Sequence, residues 1–120
     1  MRLNNDLRDR TKQYASGIIR CYVNLPKVRE EVRVLGKQLL RSGTSVAAHA
    51  REASRARSDA EFASKLDGLL QEADESQLWL ELLRDDCGIH AEILDPLLRE
   101  TDELLTIFTT MVSKIRSRDV

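Results

Sequence analysis

Apolar residues recur every three or four positions in four separate stretches of this chain, and that repeat constrains its fold more than any other feature. Leu7, Thr11, Tyr14, Ile18, Cys21 and Leu25 lie on one face of a helix running from about Leu7 to Asn24. Leu25-Pro26 then breaks the helix, because proline lacks a donor and disfavours helical backbone in the residue before it. A second helix is expected from Pro26, in a first-turn position, to Arg55, with Val28, Val32, Leu35, Leu39, Gly43, Val46, Ala50 and Ala53 in phase. The phase continues through the small-residue run Ser42–Ala48, so one continuous helix is preferred to two. Ser58 and Glu61 fit a capping box for a third helix, lined by Phe62, Leu66, Leu69, Ala73, Ser76, Leu80, Leu83 and Cys87 and stopped by Gly88. The fourth runs from about Ala91 to Arg116, with Asp95-Pro96 in or just before its first turn. Short connections make neighbours antiparallel. The fold class is therefore all-α, an antiparallel up-and-down four-helix bundle, with residues 1–120 as one domain.

Composition narrows the function classes. Five Gly and two Pro are too few for a turn-rich β protein, and 4% aromatic residues argue against a base-stacking module. No stretch approaches the roughly 20 apolar residues of a membrane span, and the polar start of the chain does not read as a signal peptide. Cys21 and Cys87 lack metal-binding spacing and read as reduced thiols, which suits a cytoplasmic location. No cofactor motif is present. His49-x-x-Glu52 and Cys87-x-x-His90 are isolated pairs, whereas bundle metal sites need several converging ligands. A metal- or small-molecule-dependent enzyme in the bundle core is the alternative reading. The preferred one is non-enzymatic, without metal or cofactor.

Two surface features remain. Leu78, Trp79 and Leu82 make the third helix apolar almost all round, more than one bundle stripe requires, and mark an oligomer interface. Charge is also segregated. Residues 1–57 hold 13 Lys and Arg against 5 Asp and Glu, a surplus of +8; residues 58–120 hold 6 against 15, or −9. Attraction within or between subunits follows. Along the second helix, Arg29, Arg33, Lys37 and Arg41 form a basic stripe that is a candidate for RNA or DNA phosphates. Arg51, Glu52, Arg55, Glu72 and Glu75 are expected to form a polar network joining helices 2 and 3. In that expectation Arg51 and Arg55 are held by carboxylates, while Arg29, Arg33 and Lys37 stay accessible.

The run from Gly36 to Ala48, then Arg51-Glu52-Ala53 and Arg55-Ala56-Arg57-Ser58, resembles the bacterial four helix bundle protein family. Glu72-Ala73-Asp74-Glu75 and Trp79-Leu80-Glu81-Leu82-Leu83 match its third helix. That family includes proteins encoded by intervening sequences in bacterial large-subunit ribosomal RNA genes. It is also similar to the accessory protein of diversity-generating retroelements. The resemblance implies a four-helix bundle and, from relatives that form rings, a homopentamer. It also implies nucleic acid or a nucleic-acid enzyme as partner. His49 stands where the family often has Asn, and the net charge of −1 departs from the strongly basic retroelement relative.

Overall fold

The computed structural model describes residues 3–118 as four helices: α1 (Asn5–Asn24), α2 (Glu30–Ala53), α3 (Asp59–Asp85) and α4 (Ala91–Ser117). Each packs beside the next and α4 returns to α1, giving a closed antiparallel bundle of 50 × 22 × 21 Å. Among the described residues there is no strand. No helix among them is long and apolar enough to cross a membrane.

Local chemistry sets the ends. Asn4 accepts from Leu7 N–H at 2.8 Å, and Ser58 accepts from Glu61 N–H at 3.1 Å. Each satisfies one of the amides that a helix start leaves unpaired. Only half of the expected capping box forms at Ser58, because the Glu61 carboxylate pairs with Arg57. Gly88 takes φ +69°, the left-handed conformation that glycine adopts most easily, and Ile89 N–H closes back on Leu83 C=O at 3.0 Å.

Two boundaries differ from the sequence reading. Pro26 does not open α2; the helix starts at Glu30, with Arg29 as its N-cap. The intervening turn is used differently. Lys27 donates to the C=O groups of Tyr22 and Leu25, and Arg29 Nη1 donates to Cys87 C=O at 2.8 Å. Two cations thereby serve the carbonyl ends of α1 and α3, where positive charge is favoured. Pro96 lies a turn inside α4 rather than at its start.

The core follows the predicted stripes. Ile18, Leu39, Val46, Phe62, Leu66, Leu69, Leu80, Leu83, Leu104 and Phe108 are fully buried. The small residues of α2 admit a close neighbour: a Cβ added at Gly43 would lie 2.7 Å from Ile18 Cγ1. Every helix also contributes buried hydroxyls to the interior. Ser42 and Ser76 share a 2.7 Å hydrogen bond, as do Tyr14 and Thr101. Ser76 and Thr101 also donate to C=O groups one turn back, so these hydroxyls are satisfied locally as well as across helices. Burial pushes the Tyr14 phenol up, against the opposing pull of its hydrogen bonds to Thr101 and Ser76, and it stays a neutral partner.

Candidate interaction surfaces

The α2/α3 seam gathers most of the residues singled out by sequence. Its register is fixed by three contacts: Lys65 Nζ to Glu52 at 2.9 Å, His49 against Gly68, and Ser42 on Ser76. That register places Glu72 and Glu75 opposite residues 41–45. Arg41 bridges them, with Nη1 3.1 Å from Glu72 Oε2 and Nη2 2.7 Å from Glu75 Oε1. The expected network between helices 2 and 3 therefore exists, but its arginine is Arg41. Arg51 and Arg55 form no ion pair with any carboxylate of the described residues, and both are exposed. Arg51 lies about two turns from the Glu72 level. Arg55 lies past the α2 C-cap, Ser54, where the helical phase has ended. Glu52 turns to Lys65, whose hydrogen bond holds its carboxyl below the usual range.

The basic stripe is correspondingly reduced. Arg41 is a strut. Arg29 divides between Glu31 and the end of α3, and Arg33 pairs with Glu30 at 2.8 Å. Of the four cations proposed for phosphate, only Lys37 is exposed without an ion pair among the described residues. Elsewhere Lys12, Arg20, Lys27, Arg51, Arg55, Arg99, Lys114 and Arg118 are likewise exposed without an ion pair among the described residues.

On α3, Trp79 and Leu82 follow Glu72 and Glu75 by seven residues and so share their α2-facing flank. Both are half-buried, and Trp79 packs on the core with its Nε1 enclosed and without a hydrogen-bond partner. Leu78 points further out and is 45% exposed.

Among the described residues no three His, Cys, Asp or Glu side chains come together to hold a metal ion. Cys87 is buried while His90 is exposed at the start of α4, so that pair does not converge. The other thiol, Cys21, is also buried, which pushes it up. The concave regions are open grooves. One of about 540 Å³, along the α1/α4 seam, is lined by Arg10, Asp102, Glu103, Thr106 and Ile107. Another of about 280 Å³, between the α1–α2 and α3–α4 turns, includes Leu25, Pro26, Arg29, Ile89 and Ile93.

Residues 4–110 match the family described as "23S rRNA-intervening sequence protein". The chain belongs to that family. A solved structure from Bacteroides thetaiotaomicron VPI-5482, described as a protein of unknown function from the S23 ribosomal protein family, is 35% identical to it. The likeness covers 88% of this chain and 96% of that one, with a TM-score of 0.78. No curated protein matches the chain.

The family match spans α1 to α3 and most of α4, so both seams of the bundle belong to it. Several contacts there carry no sequence signal. Arg10 reaches 90 residues along the chain to Glu100, with Nε and Nη2 donating at 2.8 and 2.7 Å, and also to Glu103 at 2.7 Å. His49 rests on α3 where Gly68 leaves room; a Cβ there would lie 2.9 Å from its Cε1. Gly68, Glu75 and Leu82 are seven apart, so the helical phase places Gly68 on the α2 flank, yet nothing in the sequence pairs it with His49.

Proposed function

We propose that this protein is a non-enzymatic, self-assembling helical bundle that works as a scaffold or adaptor through its outer faces. The carrying observation is the flank of α3, where exposed Leu78 adjoins the half-buried Trp79 and Leu82. Apolar surface of this kind costs free energy in water and is covered in protein interfaces, with Trp a favoured anchor. Ring-forming relatives make a homopentamer the expected stoichiometry. Light scattering of the purified protein is expected to give the mass of about five chains of 13.7 kDa. Trp79→Ala should shift it toward smaller species. A wild-type monomer at micromolar concentration would overturn the reading, whereas another ring size would revise only the subunit number.

A second reading adds RNA or DNA as a partner. It rests on Lys12, Lys37, Arg51 and Arg55, exposed cations without carboxylate partners among the described residues. Phosphate contacts of this kind weaken steeply with salt, so titration of a short RNA duplex at two salt concentrations tests it.

A further inference from the structure

The four helices are not tied to one another equally. Lys65–Glu52, Arg41 across Glu72 and Glu75, and Ser42–Ser76 join α2 to α3. Gln77 to Asp102, Arg84 to Asp95 and Arg116 to Asp67 join α3 to α4. Between α1 and α2 there is no hydrogen bond or ion pair among the described residues. That seam is held by shape, with Ile18 seated against Gly43, and Tyr22 and Leu25 against Gly36. The polar ties of α1 to other helices come from two side chains, Arg10 and Tyr14, one turn apart. Arg10 reaches Glu100 and Glu103 of α4; Tyr14 reaches Thr101 of α4, with Ser76 of α3 as a further partner.

Those two anchors differ in kind. The Arg10 cluster is partly exposed, and such pairs contribute little in water. Tyr14 is 2% exposed. The buried Ser and Thr hydroxyls of the described residues each have an acceptor three or four residues back in the chain: Thr11 on Leu7, Ser42 on Leu39, Ser54 on Arg51, Ser76 on Glu72 and Thr101 on Leu97. The Tyr14 hydroxyl stands at the far end of a ring, and its partners all lie on other helices. Thr101 gives its single proton to Leu97 C=O at 2.6 Å, so the phenol is the donor in the 2.7 Å bond between them. Lifting α1 away therefore removes the partners of Tyr14 alone, while Thr101 and Ser76 keep the acceptors of their own helices.

We infer that α1 is a releasable helix, latched onto the bundle by the hold of Thr101 on the Tyr14 hydroxyl. Thr101 is a positioning residue in this device. It fixes the phenol, and the phenol fixes α1. Once Tyr14 and Arg10 let go, α1 leaves without breaking any polar contact that joins α2, α3 and α4. Opening of α1 is then a local event, with a lower free energy than unfolding of the other three helices.

Amide hydrogen exchange of the folded protein, followed residue by residue by NMR, tests this, with helical circular dichroism as the folding control. In the wild type the slowest amides of α1 should exchange about tenfold or more faster than the slowest of α3. Tyr14→Phe keeps the ring and strands no polar group. It should speed α1 exchange about fivefold, the net worth of one buried hydrogen bond, and leave α2 and α3 unchanged. Thr101→Val withdraws the acceptor from a phenol that stays buried, so it should speed α1 more than Tyr14→Phe does. Combining the two substitutions should return α1 to the level of Tyr14→Phe alone. Ser42→Ala removes the matching cross-helix bond of the α2/α3 seam and should leave α1 as it is. The inference is overturned if the slowest amides of α1 and α3 exchange at one rate in the wild type. It is equally overturned if Tyr14→Phe leaves α1 unchanged, if it speeds all helices alike, or if Ser42→Ala speeds α1 as much. A double variant as fast as Thr101→Val would assign the effect to the packing of Thr101 and remove the latch. Should Thr101→Val not fold, Tyr14→Phe against Ser42→Ala still decides.

Discussion

The α2/α3 and α1/α4 seams join the same kinds of helix in the same antiparallel sense, yet they are built differently. Between α2 and α3, contacts continue over about three turns: Glu52–Lys65, His49 on Gly68, Arg41 across Glu72 and Glu75, and Ser42 on Ser76. Between α1 and α4, Leu97 approaches Gly17, Tyr14 meets Thr101, and Arg10 grips Glu100 and Glu103. Beyond Arg10 the helices flank an open groove. By this contrast the α2/α3 seam is the more continuously tied of the two. The α1/α4 seam relies on a few side chains, with one ion-pair cluster near its open end.

The most direct test of that asymmetry is to remove apolar volume from each side. Leu69 of α3 is fully buried, whereas Leu97 of α4 is half-buried. Leu69→Ala is expected to cost about 2–5 kcal/mol, from lost burial and the cavity left behind. Leu97→Ala should cost about 1–2 kcal/mol, because solvent and neighbours fill part of the gap. Urea midpoints at unchanged m-value check both. Equal losses would show that the seams are equivalent.

The glycines give a smaller and more local contrast. Alanine at Gly68 would put a methyl 2.9 Å from the His49 ring and force it off α3, whereas at Gly17 the nearest atom is Leu97 Cδ2 at 3.2 Å, the movable end of a side chain. Overpacking typically costs about 1–3 kcal/mol, and replacing a helical glycine by alanine returns up to about 1 kcal/mol. Gly68→Ala should therefore destabilise, and Gly17→Ala should be neutral or stabilising. Adding His49→Ala to Gly68→Ala should recover most of the loss. A double-mutant cycle without coupling would show that His49 is not the obstacle.

The same two seams separate what is legible in the amino-acid sequence from what is not. Periodicity places all four helices, carries α2 unbroken through Gly43, and locates Ser58 and Gly88 as boundaries, because each of these is decided within a turn or two of chain. The family resemblance is likewise legible, densest from Leu35 to Leu83. Partner choice is not. Arg41, Arg51 and Arg55 look alike along α2, and only the register of α3 decides which meets Glu72 and Glu75. Arg29 reads as one more cation of a stripe until the α3–α4 turn brings Cys87 C=O beside it, 58 residues away. Pro26 signals a break correctly, but the turn it begins lasts until Arg29 because Lys27 and Arg29 are drawn to the ends of α1 and α3.

The weakest contrast is electrostatic and separates the seams by their response to acid. Glu100 is the less exposed partner of its pair, and the hydrogen bond from Arg10 holds its carboxyl below the ordinary value of 4.5. A carboxyl depressed in the folded state contributes stability that is fully present above that ordinary value. The contribution is lost as pH falls through the folded value, since the unfolded chain takes up the proton first. Glu52 is depressed in the same direction by Lys65, but both of those side chains are more exposed, and water screens them more. Arg10→Met should therefore flatten the loss of stability below about pH 4.5 more than Lys65→Met does. Near neutral pH it should cost only about 0.2–1 kcal/mol, the range of partly exposed pairs. Urea unfolding of both variants and the wild type across the acid range measures this. If Lys65→Met flattened the profile as much as Arg10→Met, the acid-sensitive contact would belong to α2/α3, and the α1/α4 seam would not depend on its ion pairs.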